Sequence, residues 1–314
     1  MNKRVYGVIG IASIMANWNA DFSGYPKTIS DGRTFGSDKA LKYPMKKMWD
    51  NEGKKVLYIK SMRFTEKKGE ISLVPNSLSE RYEVLFGKQE KGEAKDSKKV
   101  LTNLMKAVDV KNFGATYAEQ GNNIAITGAV QIGQGFNEYT ETEAQVQQIL
   151  SPFRDGTKDS DADGEAKNST LGSKIVSDEA HYFYPFAINP MVYKELVALG
   201  VTDGYTEEDY QNFKRTSLVC ATSYATNAKE GCENEFALFV ETDPEVYLPN
   251  LSEYITFEKG DRQNTIDISV CEKILNEMRE KIKSIEVYYN PYTTKLVAEG
   301  KGVQVYNIVT QKEV

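Results

Sequence analysis

Val5-Tyr6-Gly7-Val8-Ile9-Gly10-Ile11-Ala12-Ser13-Ile14 is rich in β-branched residues and punctuated by two glycines. Such a run reads as a strand, and glycine within it marks a bulge or a close backbone approach. Met1-Asn2-Lys3-Arg4 precedes it and no small-residue cleavage site follows, so it reads as a first strand rather than a secretory signal. Next comes a long glycine- and asparagine-rich connection, residues 17–36, of the length that in compact domains carries function. Ser37 then caps a predicted helix over 38–49, with Asp38 in its first turn. Leu41, Met45 and Met48 supply the apolar stripe, Lys39, Lys42 and Lys46 share the opposite side, and Pro44 is expected to kink it. A strand over 55–61 would close a β-α-β start.

Beyond it the pattern is less regular. Residues 88–99 read as a charged linker, 100–108 as helical, and 123–132 as a strand broken by Gly133-Gln134-Gly135-Phe136. A polar segment over 137–170 leads to an aromatic strand over 182–188. Pro190 starts a helix to 199. Helices are expected over 207–221 and 269–284, and strands over 287–289 and 303–309. There is no repeat at a solenoid period. Strands interleaved with helices, adjacent strand pairs and large insertions indicate α+β rather than a doubly wound parallel sheet.

At 314 residues and 40% hydrophobic content the chain can bury a sizeable core and is not a disordered sequence. No run approaches the ~18 apolar residues of a membrane span. Cys220, Cys232 and Cys271 are odd in number with no CxxC pair, which argues against a disulfide framework or a cysteine zinc site and fits a reducing cytoplasm. The lone histidine, His181, excludes any site needing two imidazoles. Its aromatic, strand-like surroundings mark it as a packed or hydrogen-bonded residue rather than a general base.

The net charge of −6 is unevenly spread. Residues 27–68 hold twelve basic and five acidic residues, a local +7 that leaves −13 for the rest. A basic patch on an acidic protein suits local polyanion binding, though a solvated helix face has the same composition. Phe35-Gly36-Ser37-Asp38-Lys39 lacks GxxxxGK[ST], so an NTPase loop is a poor reading while an anion cradle of helix-start amides stays open. Gly128–Gln131 and Gln134–Phe136 offer amides and an aromatic on flexible backbone, suited to ribose, phosphate and splayed bases, and equally to a hairpin tip. Asp159-Ser-Asp161-Ala-Asp163-Gly164 matches the first half of an EF-hand loop, but Thr170 stands where the bidentate glutamate belongs, so an exposed acidic loop is the better reading. Asp21, Asp31 and Asp38 lie in or beside the first loop, where carboxylates would hold magnesium near a phosphodiester if they converged.

Together these residues resemble a known family. Gly7-Val-Ile-Gly10, Asn17-Trp-Asn-Ala-Asp-Phe-Ser-Gly24 with Pro26, Asp31-Gly32, and Gly36-Ser-Asp-Lys-Ala-Leu-Lys42 look like the N-terminal signature of the backbone subunit of the type I-B CRISPR Cascade, an RRM-like family of RNA-filament proteins. Thr127-Gly-Ala-Val-Gln131 resembles its GPVQ-like segment, with Ala129 where proline is common. Leu171-Gly-Ser-Lys174 resembles its G-x-K segment leading into a strand. The resemblance implies one domain over 1–314: a modified RRM (ferredoxin-like) palm, inserted fingers over about 64–122 and a thumb-like insertion over about 131–170. It implies a cytoplasmic, non-catalytic protein, without cofactor or metal, that stacks with copies of itself as a helical filament along the crRNA spacer. It would present that spacer to a target DNA strand beside large, small and crRNA-end-capping subunits, with a separate helicase-nuclease cutting the DNA. On this reading Asn19, Lys27, Arg33, Ser37, Lys39, Lys42 and Lys46 contact the RNA from the palm, Gln131, Gln134 and Phe136 from the base of the thumb, and Gly172, Ser173 and Lys174 beside it. Related type III filament subunits cleave target RNA with an aspartate in the corresponding loop, so a metal-dependent endoribonuclease using Asp31 or Asp21 is the alternative.

Overall fold

The computed structural model describes residues 1–88, 96–119, 121–150, 171–300 and 302–314. The opening run forms β1 (Arg4–Ala16), the centre of a nine-stranded sheet. The other strands of that sheet, in chain order, are β2 (Phe35–Gly36), β3 (Val130–Ile132), β4 (Gly135–Asn137), β5 (Ala144–Leu150), β6 (Leu171–Ile188), β7 (Cys232–Thr242), β8 (Ile282–Tyr289) and β9 (Gln304–Asn307). β1 pairs antiparallel with β6 on one side and β7 on the other, and β6 pairs onward with β3, β4 and β5. Helix α1 (Asp38–Asn51) follows β1, and α2 (Glu207–Ser217) connects β6 to β7. Counting β3 and β4 as one interrupted strand, the core runs β-α-β-β-α-β with spatial order 4-1-3-2. This is the ferredoxin-like palm, enlarged by insertions, and the fold class is α+β.

β1 alternates between two cores because successive side chains of a strand point to opposite faces. Val5, Ile9 and Ile11 face α1, α2 and the helices Ser97–Leu104 and Val108–Phe113. Tyr6 and Val8 face a layer built from residues 246–278 and 294–298, including the strands Thr256–Glu258 and Asn264–Asp267 and helix α3 (Ser269–Glu277). Phe183, Phe236 and Leu238 are buried beneath that layer. The side of an RRM sheet that ordinarily stacks bases is therefore closed.

Ser37 caps α1 as expected, accepting from the Ala40 N–H, and Leu41, Met45 and Trp49 are fully buried beneath it, ~1.5–3 kcal/mol for each large apolar side chain removed from water. The helix runs on through Pro44. Several expectations need correction. Residues 55–61 are not a strand: Val56 and Leu57 are buried, and the Leu57 and Tyr58 N–H groups donate to the Asp109 carboxylate, both at 2.8 Å. A side chain takes the place of a neighbouring strand, and the return strand after α1 comes only at Val130. The helix expected over 269–284 ends at Glu277, and Ile285 and Val287 alternate inward along β8, with Ile282 brought to the same core across a register shift. The strand expected over 123–132 splits into Ile124–Thr127, paired with Gly114–Tyr117, and β3. Gly128 enforces the break, since a Cβ there would sit 2.3 Å from backbone atoms of Phe113 and Gly114. The helix from Pro190 is a 3-10 turn followed by Lys194–Ala198.

Two hairpins stand apart. Met62–Lys67 and Glu70–Pro75 pair only with each other and leave Phe64, Ile71 and Leu73 exposed. β5 and the first half of β6 extend the main sheet as a long ribbon. The acidic stretch 159–164 and the second half of the expected thumb, residues 151–170, lie outside the described residues. No described helix is long and apolar enough to cross a membrane.

Candidate nucleic-acid interface

The 17–36 connection is not loose. Bridges between Ala20 and Pro26 and between Thr28 and Thr34 fold it into two successive turns. Asp21 closes the first, accepting from the Ser23 and Tyr25 N–H groups at 2.8 and 3.0 Å, and Asp31 closes the second, accepting from the Arg33 N–H at 2.9 Å. Such side-chain-to-backbone bonds are what aspartate contributes to turns. Three ties fix the loop to the body. Trp18 Nε1 donates to the Tyr184 hydroxyl at 2.6 Å, Lys229 donates to the Asn17 carbonyl at 2.5 Å and also to that of Trp18, and Asn17 Nδ2 donates to Gly24 and Ile175. Gly36 completes the fit, because a Cβ there would lie 1.7 Å from the Tyr184 hydroxyl.

Asn19 and Ser37, expected at the RNA, first serve the loop itself. The buried Asn19 accepts through Oδ1 from the Ser37 N–H at 3.0 Å and from its hydroxyl at 2.6 Å. Of the helix-start amides that left an anion cradle open, Ser37 N–H is taken by Asn19 and Ala40 N–H by the Ser37 cap.

Where the loop ends, an aromatic pair and a cation come together. Phe35 pairs across the sheet with Phe136, their ring centroids 6.3 Å apart, and the exposed Arg33 guanidinium lies 4.2 Å from the Phe136 centroid. Beside them is a cleft of about 410 Å³, lined by Asp31, Gly32, Arg33 and Thr34 on one wall and Asn137, Tyr139, Thr140 and Thr142 on the other. Asn137 joins the walls, donating to Thr34 Oγ1 at 2.9 Å and Thr142 Oγ1 at 2.7 Å. Burial pushes the nearby Glu138 carboxyl above its ordinary value, with the Arg33 charge opposing. Exposed guanidinium, two tilted rings and hydroxyls around a cleft form a surface on which a base can stack while phosphate meets a cation.

Lys27 and Lys39 lie near this edge, Lys39 exposed on the first turn of α1. Of the lysine face expected over Lys39, Lys42 and Lys46, only Lys39 is exposed. Lys42 pairs with Asp38 at 2.8 Å. Lys46 reaches inward, 3.9 Å from the fully buried Asp109 carboxylate and 3.4 Å from the Tyr58 carbonyl. Burial drives the Lys46 pKa down, against the pull of Asp109. Gln131 and Gln134 are exposed in and after β3, with the Gln131 amide donating to the Gly128 carbonyl at 2.9 Å. These residues and Phe136 belong to the palm sheet rather than to a thumb. Gly172, Ser173 and Lys174 sit on the ribbon, opposite Ile149, Gln148 and Gln147.

The Asp21 and Asp31 carboxylates each hold their own turn, and among the described residues no group of three potential metal ligands converges. Sequence reasoning missed Phe35 as the partner of Phe136, Asn137 as the bridge between the walls, and Asp109 as the acceptor behind Lys46. Only Phe35 carried a signal, as an aromatic beside the glycine that the loop requires.

The chain is similar to known proteins in two ways. The family model described as CRISPR-associated protein Cas7 matches residues 3–286. A chain of a "CRISPR RNA-guided surveillance complex, pre-nicking" has the same fold, with a TM-score of 0.58 at 13% identity, covering 97% of this chain and 96% of that one. A chain of a "CRISPR RNA-guided surveillance complex" gives a TM-score of 0.46 at 14% identity, over 92% and 91%. No curated protein sequence matches the chain.

Proposed function

Because the chain belongs to the Cas7 family of CRISPR-associated proteins, we propose that it is the non-catalytic crRNA-binding backbone subunit of a type I CRISPR surveillance complex, of subtype I-B. The family match over residues 3–286 carries this reading, and the Arg33–Phe136 edge supplies a surface suited to it. Copies line up along the spacer of the guide and leave it free to pair with a target DNA strand, so that sequence is read by base pairing and the protein holds backbone and shape. Arg33, Lys39 and Lys27 meet phosphates, while Phe136 and Phe35 offer the stacking surface. Gln131 and Gln134 extend that edge, and Gly172–Lys174 contact the strand from the ribbon. Residues 64–122 act as fingers and the segment between β4 and β6 as thumb. Large, small and end-capping subunits complete the cytoplasmic complex, and a helicase-nuclease cuts the DNA. The endoribonuclease alternative is not favoured, since Asp21 and Asp31 are both engaged as turn acceptors.

The test is to co-express the protein with a CRISPR array, purify it, and sequence whatever nucleic acid comes with it. A uniform repeat-spacer RNA is the expected result. Protein free of nucleic acid in the presence of the processed guide would overturn the reading.

A further inference from the structure

His181 is the single histidine of the chain and is 1% exposed on β6. Both of its ring nitrogens meet carboxylates. Nδ1 lies 2.9 and 2.8 Å from the two oxygens of Glu235 on β7, and Nε2 lies 3.0 Å from Oε1 of Glu179 on its own strand. A neutral imidazole has one N–H and one bare lone pair. In either tautomer that lone pair would face a carboxylate oxygen at contact distance, with little water to screen it. The imidazolium donates to both.

Three parts of the molecule meet at this ring. Phe257, in the covering layer, stacks on it at 3.9 Å and 23°, and Lys259 just beyond donates to both oxygens of Glu179 at 2.6 and 2.7 Å. The Tyr139 ring, from the loop after β4, approaches edge-on at 6.3 Å, its hydroxyl donating to Glu141. The His181 backbone holds the same loop, donating to Asn137 Oδ1 at 2.8 Å and accepting from the Glu138 N–H at 2.9 Å. The charged and titratable groups around the imidazole are thus Glu179 from β6, Glu235 from β7, Lys259 from the covering layer, and Tyr139 with Glu141 from the loop. Among the described residues no other ion pair reaches Glu235.

We propose that His181 is a proton-dependent latch. As an imidazolium it joins Glu179 of β6 to Glu235 of β7 beneath the Phe257 ring of the covering layer, and its deprotonation leaves Glu235 buried without a counter-charge and loosens that junction. Burial by itself lowers the His181 pKa, but the charge and hydrogen bond of Glu235, together with Glu179, outweigh it and hold the value above the ordinary one. Burial likewise raises the Glu179 pKa, and His181 and Lys259 reverse that. The sign follows from linkage: with the folded pKa raised, the latch contributes fully below the unfolded histidine value of about 6.5, and its contribution disappears as pH climbs through the folded value.

Nitrogen NMR of the intact protein labelled at histidine reads the protonation state directly and needs no variant. Protons on both ring nitrogens at neutral pH, lost in one transition above the ordinary histidine range, are expected. A neutral ring at neutral pH, its second carboxylate carrying the proton instead, would overturn the latch. Denaturation midpoints of the wild type and the isosteric Glu235→Gln, followed from about pH 6 to about pH 9, supply a second readout. The wild-type midpoint should fall across that range while the variant's stays flatter, and equal pH slopes in the two proteins would also overturn it.

Discussion

Lys39 and Lys46 stand two turns apart on one helix, yet they belong to different kinds of surface. At the start of α1, Lys39 is exposed beside the edge where Arg33, at the end of the loop, lies over the Phe136 ring of β4. Two turns later, Lys46 lies over the rings of Tyr58 and Phe113 and points to Asp109, whose carboxylate also receives two backbone N–H groups. The first turn of the helix leaves its charge exposed, and, two turns on, a charge holds an insertion. A buried acceptor, rather than the lysine itself, decides which.

The largest way to break that contrast is Asp109→Ala. It leaves the Leu57 and Tyr58 N–H groups unpaired and strands the half-buried Lys46, so unfolding in urea should show a loss of about 3–5 kcal/mol. A shift under about 1 kcal/mol would mean that this end of the helix is held by something else. Phe136→Ala sharpens the opposite end: RNA binding should weaken by about 1–3 kcal/mol, with the urea midpoint nearly unmoved because the ring is only half-buried. Equal losses in stability and in binding would make Phe136 a core residue after all. Charge reversal of Arg33 and Lys39 together should reduce the salt slope of RNA binding by about 0.7 for each lost phosphate contact, while Lys42→Gln with Lys46→Gln leaves the slope unchanged. The smallest effect belongs to Lys42→Ala, which removes a single i,i+4 pair with Asp38 and should cost about 0.3–0.5 kcal/mol in stability.

Much of the palm was legible because its signals are local. The β-branched opening run, the Ser37 cap and the aromatic strand through Tyr184 announce themselves within a few residues. β7 escaped notice although it lies beside β1, because Phe236-Ala237-Leu238-Phe239-Val240 is apolar on both faces and shows neither period. The 55–61 segment was misread because its pattern is strand-like, while its actual partner, Asp109, comes some fifty residues later. In the site, residue types were easier to choose than their orientations. Arg33 and Phe136 are brought together only by the Phe35–Phe136 strand pairing, which no local pattern encodes. Asn19 and Lys46 have the chemistry of RNA ligands, but their polar ends meet Ser37 and Asp109.

With both broad sides of the palm strands around β1 roofed over, the described residues leave no open bed there on which several unstacked nucleotides can be laid in a row. Any polymer it grips must run along a rim, where one molecule has room for a brief footprint. Reach along a long transcript then depends on how many molecules stand shoulder to shoulder, and much less on how firmly each one holds.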